Sequence, residues 1–226
     1  FKVFYHFIYR DIHPYIEQNI PNWSTTLKLV LAPEFEAKAA TLGADAQRSV
    51  FLIKGEVVKI ILLCSTRFKD DFKDYVDNFA ADVWRNCSML SQIESRNDSI
   101  LINSIKYFKS FASNASHFGF FDANMKDVVT QMMIPGMKLD ESELDTFKDE
   151  PQAFVETIFG LSYLHNKTKS TVQEFVGVIA KFYRDGLLKI LTELFGEIIR
   201  VRSLDAYENE VVFLEIFMSA VVQNYT

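Results

Sequence analysis

The sequence predicts an all-α protein, an α-solenoid of about five helix pairs spread over 226 residues. Three observations lead there. Glycine (8) and proline (5) are scarce, whereas a β-protein needs turn residues every few positions. Apolar residues recur at intervals of three and four through most of the chain, the period of a helix with one buried face. Short connections separate these stripes, and helix pairs that bury their faces only against their neighbours stack into a solenoid.

In chain order, Phe1–Tyr9 reads as the tail of a helix begun upstream. Pro14 to Leu31 follows as a helix in which Pro21 forces a kink, or a restart capped by Asn19. Ala32–Ala46 mixes Pro33 and Gly43 with small and charged residues and reads as a loop with at most a loose helical piece. Ala46–Arg67 carries Val50, Ile53, Val57, Ile60, Ile61 and Cys64 on one face. Lys69–Gln92 carries Phe72, Val76, Phe79, Val83, Cys87 and Leu90, with Trp84 one position off the stripe, placed to cover a neighbour.

Asp98–Ala112 repeats the pattern with Leu101, Ile105, Phe108 and Phe111. His117–Phe121 reads as an aromatic turn around Gly119, and Ala123–Ile134 as a short helix. Gln152–Leu164, Lys169–Tyr183, Asp185–Arg202 and Tyr207–Gln223 complete roughly ten helices of twelve to twenty residues. The last of these stops without a cap. With the apolar start, this gives the expectation that residues 1–226 are a single segment of a longer solenoid of HEAT-like repeats. A weak echo agrees: Asp11, Tyr15-Ile16 and Trp23 recur as Asp71, Tyr75-Val76 and Trp84.

One extended polar stretch interrupts the helices, Ile134 to Val155. Pro135 and Gly136 are expected to stop the helix before it. Six carboxylates follow, Asp140, Glu141, Glu143, Asp145, Asp149 and Glu150, against Lys138 and Lys148, and Pro151 opens the next helix. The run Asp140-Glu141-Ser142-Glu143 has the form of a helix start, with acid facing the positive dipole end. Residues 136–151 therefore read as an acidic insert between repeats, a short helix by its placement of acids or a solvated linker by composition alone.

The formal net charge of −6 argues against nucleic acid, which needs clustered Lys and Arg, and favours basic protein partners. No run of about eighteen uncharged apolar residues suits a membrane span, and no signal peptide opens the chain. Cys64 and Cys87 sit in apolar helical stripes and read as reduced, buried hydrophobes. The six N-x-S/T triplets, at Asn22, Asn86, Asn97, Asn114, Asn166 and Asn224, are read as chance matches.

His6, His13, His117 and His165 share no zinc spacing with the cysteines. Phosphate-cradling glycine loops, the nucleophile elbow and H-E-x-x-H are all missing, leaving a Cys–His pair as a minor alternative. Aromatic pairs such as Phe72/Phe79 and Phe175/Phe182 read as core. No catalytic residue, cofactor or metal is assigned, and the default is a binding scaffold.

The order of motifs resembles the CAS-type exportins, the importin-alpha re-exporters among the importin-beta-like karyopherins. D-I-H-P-Y-I-E-Q-N (Asp11–Asn19), R-F-K-D-D-F (Arg67–Phe72) with Asn78-Phe79 and Val83-Trp84, and S-I-L-I-N-S-I-K-Y-F (Ser99–Phe108) are similar to family segments in the same order. The most specific is I-P-G-M-K-L-D-E-S-E-L-D-T-F-K-D-E-P-Q-A-F-V (Ile134–Val155), which resembles the family's Pro-Asn segment, acidic helix, Phe-Glu-Asp-x-Pro and aromatic-Ile ending. The family's arginine cluster after that proline is missing here, where Lys167 and Lys169 stand instead.

The resemblance implies a non-catalytic export receptor that shuttles between nucleus and cytoplasm and carries importin-alpha with Ran in its GTP form. It further implies that inner helices face cargo and Ran. On that basis Asp140, Glu141, Glu143, Asp145, Asp149 and Glu150 are expected to meet a basic partner. Two other classes stay open on the residues alone: a helical-repeat adaptor unrelated to transport, and an all-α enzyme with a carboxylate site.

Overall fold

The computed structural model describes residues 1–90, 98–113, 118–159, 167–200 and 207–222. Among them lie fifteen α-helical segments of 4 to 24 residues, one 3-10 turn and one π turn, and no strand. The chain divides into two compact units, Phe1–Ser110 and Phe111–Thr226.

In the first unit, α1 (Lys2–Ile8), α2 (Pro14–Gln18), α3 (Ile20–Leu31) and α4 (Pro33–Ala40) lead to the long α5 (Ala44–Arg67). Asn19 stands at the break between α2 and α3, so Pro21 goes with a restart. Its side chain gives no cap bond and instead donates to Tyr15 O at 2.8 Å. The expected loop over Ala32–Ala46 is largely helix. Pro33 supplies the first helical position and Glu34 and Glu36 the acidic first turn, a start signal that outweighs the small-residue composition. Gly43, at φ 103°, turns the chain into α5, and only glycine takes that conformation without strain.

The α5 helix packs against α1, α3, α4 and α6. It buries Val50, Val57, Val58, Ile60, Ile61, Leu63 and Cys64, at about 1.5–3 kcal/mol for each large aliphatic side chain, which makes it the spine of the unit. The expected continuous helix over Lys69–Gln92 is instead α6 (Lys69–Val76), a 3-10 turn at Asp77–Phe79, and α7 (Ala80–Leu90). Asn78 donates to Asp74 O across the turn, the local bonding by which Asn and Asp compete with helix. Gln92 lies outside the described residues. In α8 (Asp98–Ala112), Phe108 meets Trp84 of α7 edge-on at 5.5 Å, the covering contact expected of that tryptophan.

The second unit begins in the last residues of α8 and continues with α9 (Phe118–Val128). The aromatic turn expected at His117–Phe121 is helix from Phe118 on, and His117 lies outside the described residues. Asn124 kinks α9, with φ −119°, and donates to Phe120 O. A π turn, Val129–Met133, then leads directly into α10 (Ile134–Met137). Pro135 and Gly136 therefore do not end the helix. The Ile134 amide bonds back to Val129 O, and this wider turn leaves room just before the proline ring, which ordinary α-geometry would clash against. The chain leaves helix only at Lys138.

Next come α11 (Glu141–Asp149) and α12 (Pro151–Phe159), then α13 (Lys167–Phe182), α14 (Arg184–Arg200) and α15 (Tyr207–Val222). The ends expected at Leu164, Arg202 and Gln223 fall outside the described residues. Val172, Phe175, Val176 and Ile179 of α13 are fully buried, packing in a unit that also buries Phe121, Met132, Met133, Leu187 and Ile216. Tyr183 donates to Ala112 O at 3.0 Å and closes the start of the unit. Phe182 was expected in the core with Phe175, but it is 40% exposed, because Tyr183 takes the inward position beside it.

Candidate partner-binding site

The acidic stretch folds as a capped helix. The Asp140 carboxylate accepts from the Glu143 amide at 2.9 Å, and Glu143 Oε2 accepts from the Asp140 amide at 2.8 Å, a reciprocal capping box. Glu141 and Glu143 lie in the first turn, where they face the positive end of the helix dipole. Glu141, Asp145 and Asp149 follow at intervals of four and form one solvent-facing ridge, with Asp140 and Glu150 exposed at its two ends.

Glu143 is apart from the other five. Its second oxygen, Oε1, accepts from Lys169 Nζ at 2.6 Å, and that ammonium is completely shielded from solvent. On the same inner face of α11, Leu144 and Phe147 pack against a small apolar cluster of Leu139 and Phe154, joined by Val211. Phe147 and Phe154 meet edge-on at 5.0 Å. Lys169 is thus paired within the chain, and Lys167 is exposed.

The first unit holds a matching arrangement that the sequence reading did not single out. Lys54 projects from α5 with its ammonium fully buried. It pairs with Glu36 in the first turns of α4 and donates to Asn86 Oδ1 at 2.8 Å and to Leu31 O at 3.3 Å. Asn86 Nδ2 also reaches Leu31 O, at 2.9 Å, and Arg85 joins Leu31 O to Asp82. The last carbonyl of α3, the negative end of its dipole, therefore receives three donors. Burial pushes the Lys54 pKa below its usual 10.5, and the Glu36 carboxylate opposes that shift. The signal was present in the sequence: Lys54 lies three residues before Val57, inside the apolar stripe of α5.

The remaining candidates carry no assembled chemistry. His13 caps α2, its Nδ1 accepting from the Tyr15 amide at 3.2 Å, while His117 and His165 lie outside the described residues. Cys64 and Cys87 are free and buried, and burial pushes both thiols up to about 12, so they stay protonated. Of the N-x-S/T asparagines, Asn22 is exposed on α3 and Asn86 is buried in the lysine network, while the other four lie outside the described residues. Among the described residues, no group of three His, Cys, Asp or Glu is placed to hold a metal ion, and no helix is long and apolar enough to cross a membrane.

The model of the Cse1 family matches residues 1–224. The chain belongs to the Cse1 family. Its relatives include the importin alpha re-exporter of Saccharomyces cerevisiae, 21% identical over 159 residues, a match covering 68% of this chain and 16% of the yeast protein. Exportin-2 of Drosophila melanogaster is 20% identical over 156 residues with the same coverage. Exportin-2 of Oreochromis niloticus is 18% identical over 211 residues, covering 92% of this chain and 21% of that one. The chain thus spans about a fifth or less of the length of these relatives. A solved structure of the exportin Cse1 in its cargo-free, cytoplasmic state superposes with a TM-score of 0.72 at 15% identity, over 96% of this chain and 24% of that one. The fold of this Cse1-family chain is accordingly the all-α helical-repeat architecture expected from its stripes.

Proposed function

We propose that this chain contributes part of the binding wall of a nuclear export receptor, which carries importin-alpha back to the cytoplasm in a complex with Ran-GTP. The observation that carries the reading is the family match over residues 1–224, which leaves almost none of the chain outside it. Receptors of this kind act by contact, with GTP hydrolysis belonging to Ran, so the function calls for no catalytic residue or cofactor here. Shuttling between nucleus and cytoplasm follows from the same role.

Within that wall, residues 136–151 act as an acidic insert between repeats. Asp140, Glu141, Asp145, Asp149 and Glu150 offer a solvent-facing row of negative charge to a basic partner surface, while Glu143 holds the insert to the chain. The test is a pull-down with the full-length receptor, importin-alpha, and Ran locked in either nucleotide state. A ternary complex that forms only with the GTP form is the expected result. Equal capture in both states, or none in either, would leave a helical-repeat adaptor unrelated to transport.

A further inference from the structure

We propose that the cleft between α1, α5 and the start of α8 receives an arginine side chain, presented by a protein segment and held on the Glu56 carboxylate. The cleft has a volume of about 370 Å³ and is built wholly from the first unit. It is lined by Phe1, Lys2 and Val3 at the start of α1, by Leu52 and Glu56 of α5, and by Ser99 of α8. Leu52 and Glu56 stand one turn apart and share a face of their helix. Phe1, Val3 and Leu52 are exposed, so apolar surface open to solvent accompanies the carboxylate.

What the site lacks is a counter-charge. Glu56 Oε2 is shut off from water and accepts no hydrogen bond from the described residues. The next cation along α5, Lys59, does not serve it, because its ammonium lies over the Tyr5 ring, 4.0 Å from the centroid. A carboxylate that has lost part of its hydration without gaining a partner is held at a cost, which an incoming cation offsets. Arginine suits the place better than lysine, since a guanidinium is more weakly hydrated and carries several donors in a fixed fork. One N–H can meet the Glu56 carboxylate while another meets Ser99 Oγ, which takes only a 3.5 Å contact from Asn103. The methylene stem then covers Val3 and Leu52. This site lies in the other unit from the acidic insert, and it stands on the chain's own residues whether or not the transport reading does.

The test titrates the full-length protein with a labelled pentapeptide, Gly-Ala-Arg-Ala-Gly, and with its counterpart carrying citrulline, which keeps the shape of arginine and loses the charge. The expected result is that the arginine peptide binds about tenfold or more tightly than the citrulline peptide, and that Glu56→Gln removes the difference. Equal binding of the two peptides to the wild type overturns the proposal. So does a Glu56→Gln protein that keeps the preference, which is the outcome if the peptide sits on the α11 ridge instead. If Glu56→Gln folds poorly, Leu52→Lys takes its place: Leu52 is 55% exposed, and the new ammonium stands one turn from Glu56. Loss of the arginine preference in that variant supports the site, and its retention overturns it. Lys2→Met removes the cation that shares the cleft, so it is expected to keep or sharpen the preference, and losing the preference there overturns the proposal as well.

Discussion

Lys54 and Lys169 show at the residue scale what a sequence hides. A lysine inside an apolar stripe reads as an interruption, because sequence spacing does not reveal where its partner comes from. Lys54 finds Glu36 eighteen residues away, in a segment whose composition reads as loop, and Lys169 finds Glu143 twenty-six residues away. The buried valines and isoleucines of α5 were legible because their spacing alone places them inward. The network around Lys54 gives a direct prediction. Glu36 is 13% exposed, so Glu36→Gln leaves a buried ammonium with only neutral acceptors and destabilises the first unit by about 3 kcal/mol. Lys54→Met in the same chain removes the stranded charge and recovers most of that loss. Urea-denaturation midpoints of the two single variants and the double variant check this, since coupled partners are non-additive. Additive losses would show that Lys54 and Glu36 act independently.

Elements were legible wherever a stripe and a start signal coincided. The capping box of α11 and the Pro151 start of α12 are written in Asp140-Glu141-Ser142-Glu143 and in proline's missing donor. The echo between Asp11–Trp23 and Asp71–Trp84 corresponds to two similar pairs, α2 with α3 and α6 with α7, each a short helix followed by a longer one carrying the tryptophan. The path through Pro135 was not legible, because a π turn depends on backbone bonding that no side-chain pattern announces. Gly55 is another such case. It sits within α5, where glycine has no propensity advantage, and a Cβ built there would stand 2.9 Å from Ser99 Oγ and 3.4 Å from Ile100 Cγ1 of α8. Asn103 donates to the Gly55 carbonyl across the same contact. The expected outcome is that Gly55→Val forces α5 and α8 apart and destabilises the unit by about 2–3 kcal/mol. Gly55→Ala does less, because the Ser99 hydroxyl can rotate away and only the Ser99 Cβ, at 3.3 Å, has to give by a few tenths of an ångström. Thermal melts of the two variants separate these cases, and equal melting temperatures would mean that the close approach is not limiting.

At the scale of the whole molecule, the repeat architecture was legible from periodicity and the family from motif order, while the face that meets a partner was not. Surface charge marks a docking site only by its distribution, and five of the six acids in the insert remain on the surface after folding has taken Glu143 inward. The proposed docking role therefore rests on Glu141, Asp145 and Asp149, which share one side of α11 and take no part in its capping box. Reversing them touches neither the Lys169 pair nor the apolar cluster under the helix. Because Glu141→Lys also sets a cation against the positive end of the helix dipole, Asp145→Lys/Asp149→Lys serves as the control that leaves the first turn intact. Exposed ion pairs are worth up to about 1 kcal/mol each, so Glu141→Lys/Asp145→Lys/Asp149→Lys should weaken the proposed complex of the full-length receptor with importin-alpha and Ran-GTP by about 10–100-fold at low salt. Because screening shortens the range of such charges to about 3 Å at 1 M, the difference from wild type should shrink steadily as salt is raised. Affinity measured across a salt series checks both parts. If the reversed receptor binds as tightly as the wild type, with the same salt slope, the ridge is only a solvated helix face and the partner meets the solenoid elsewhere.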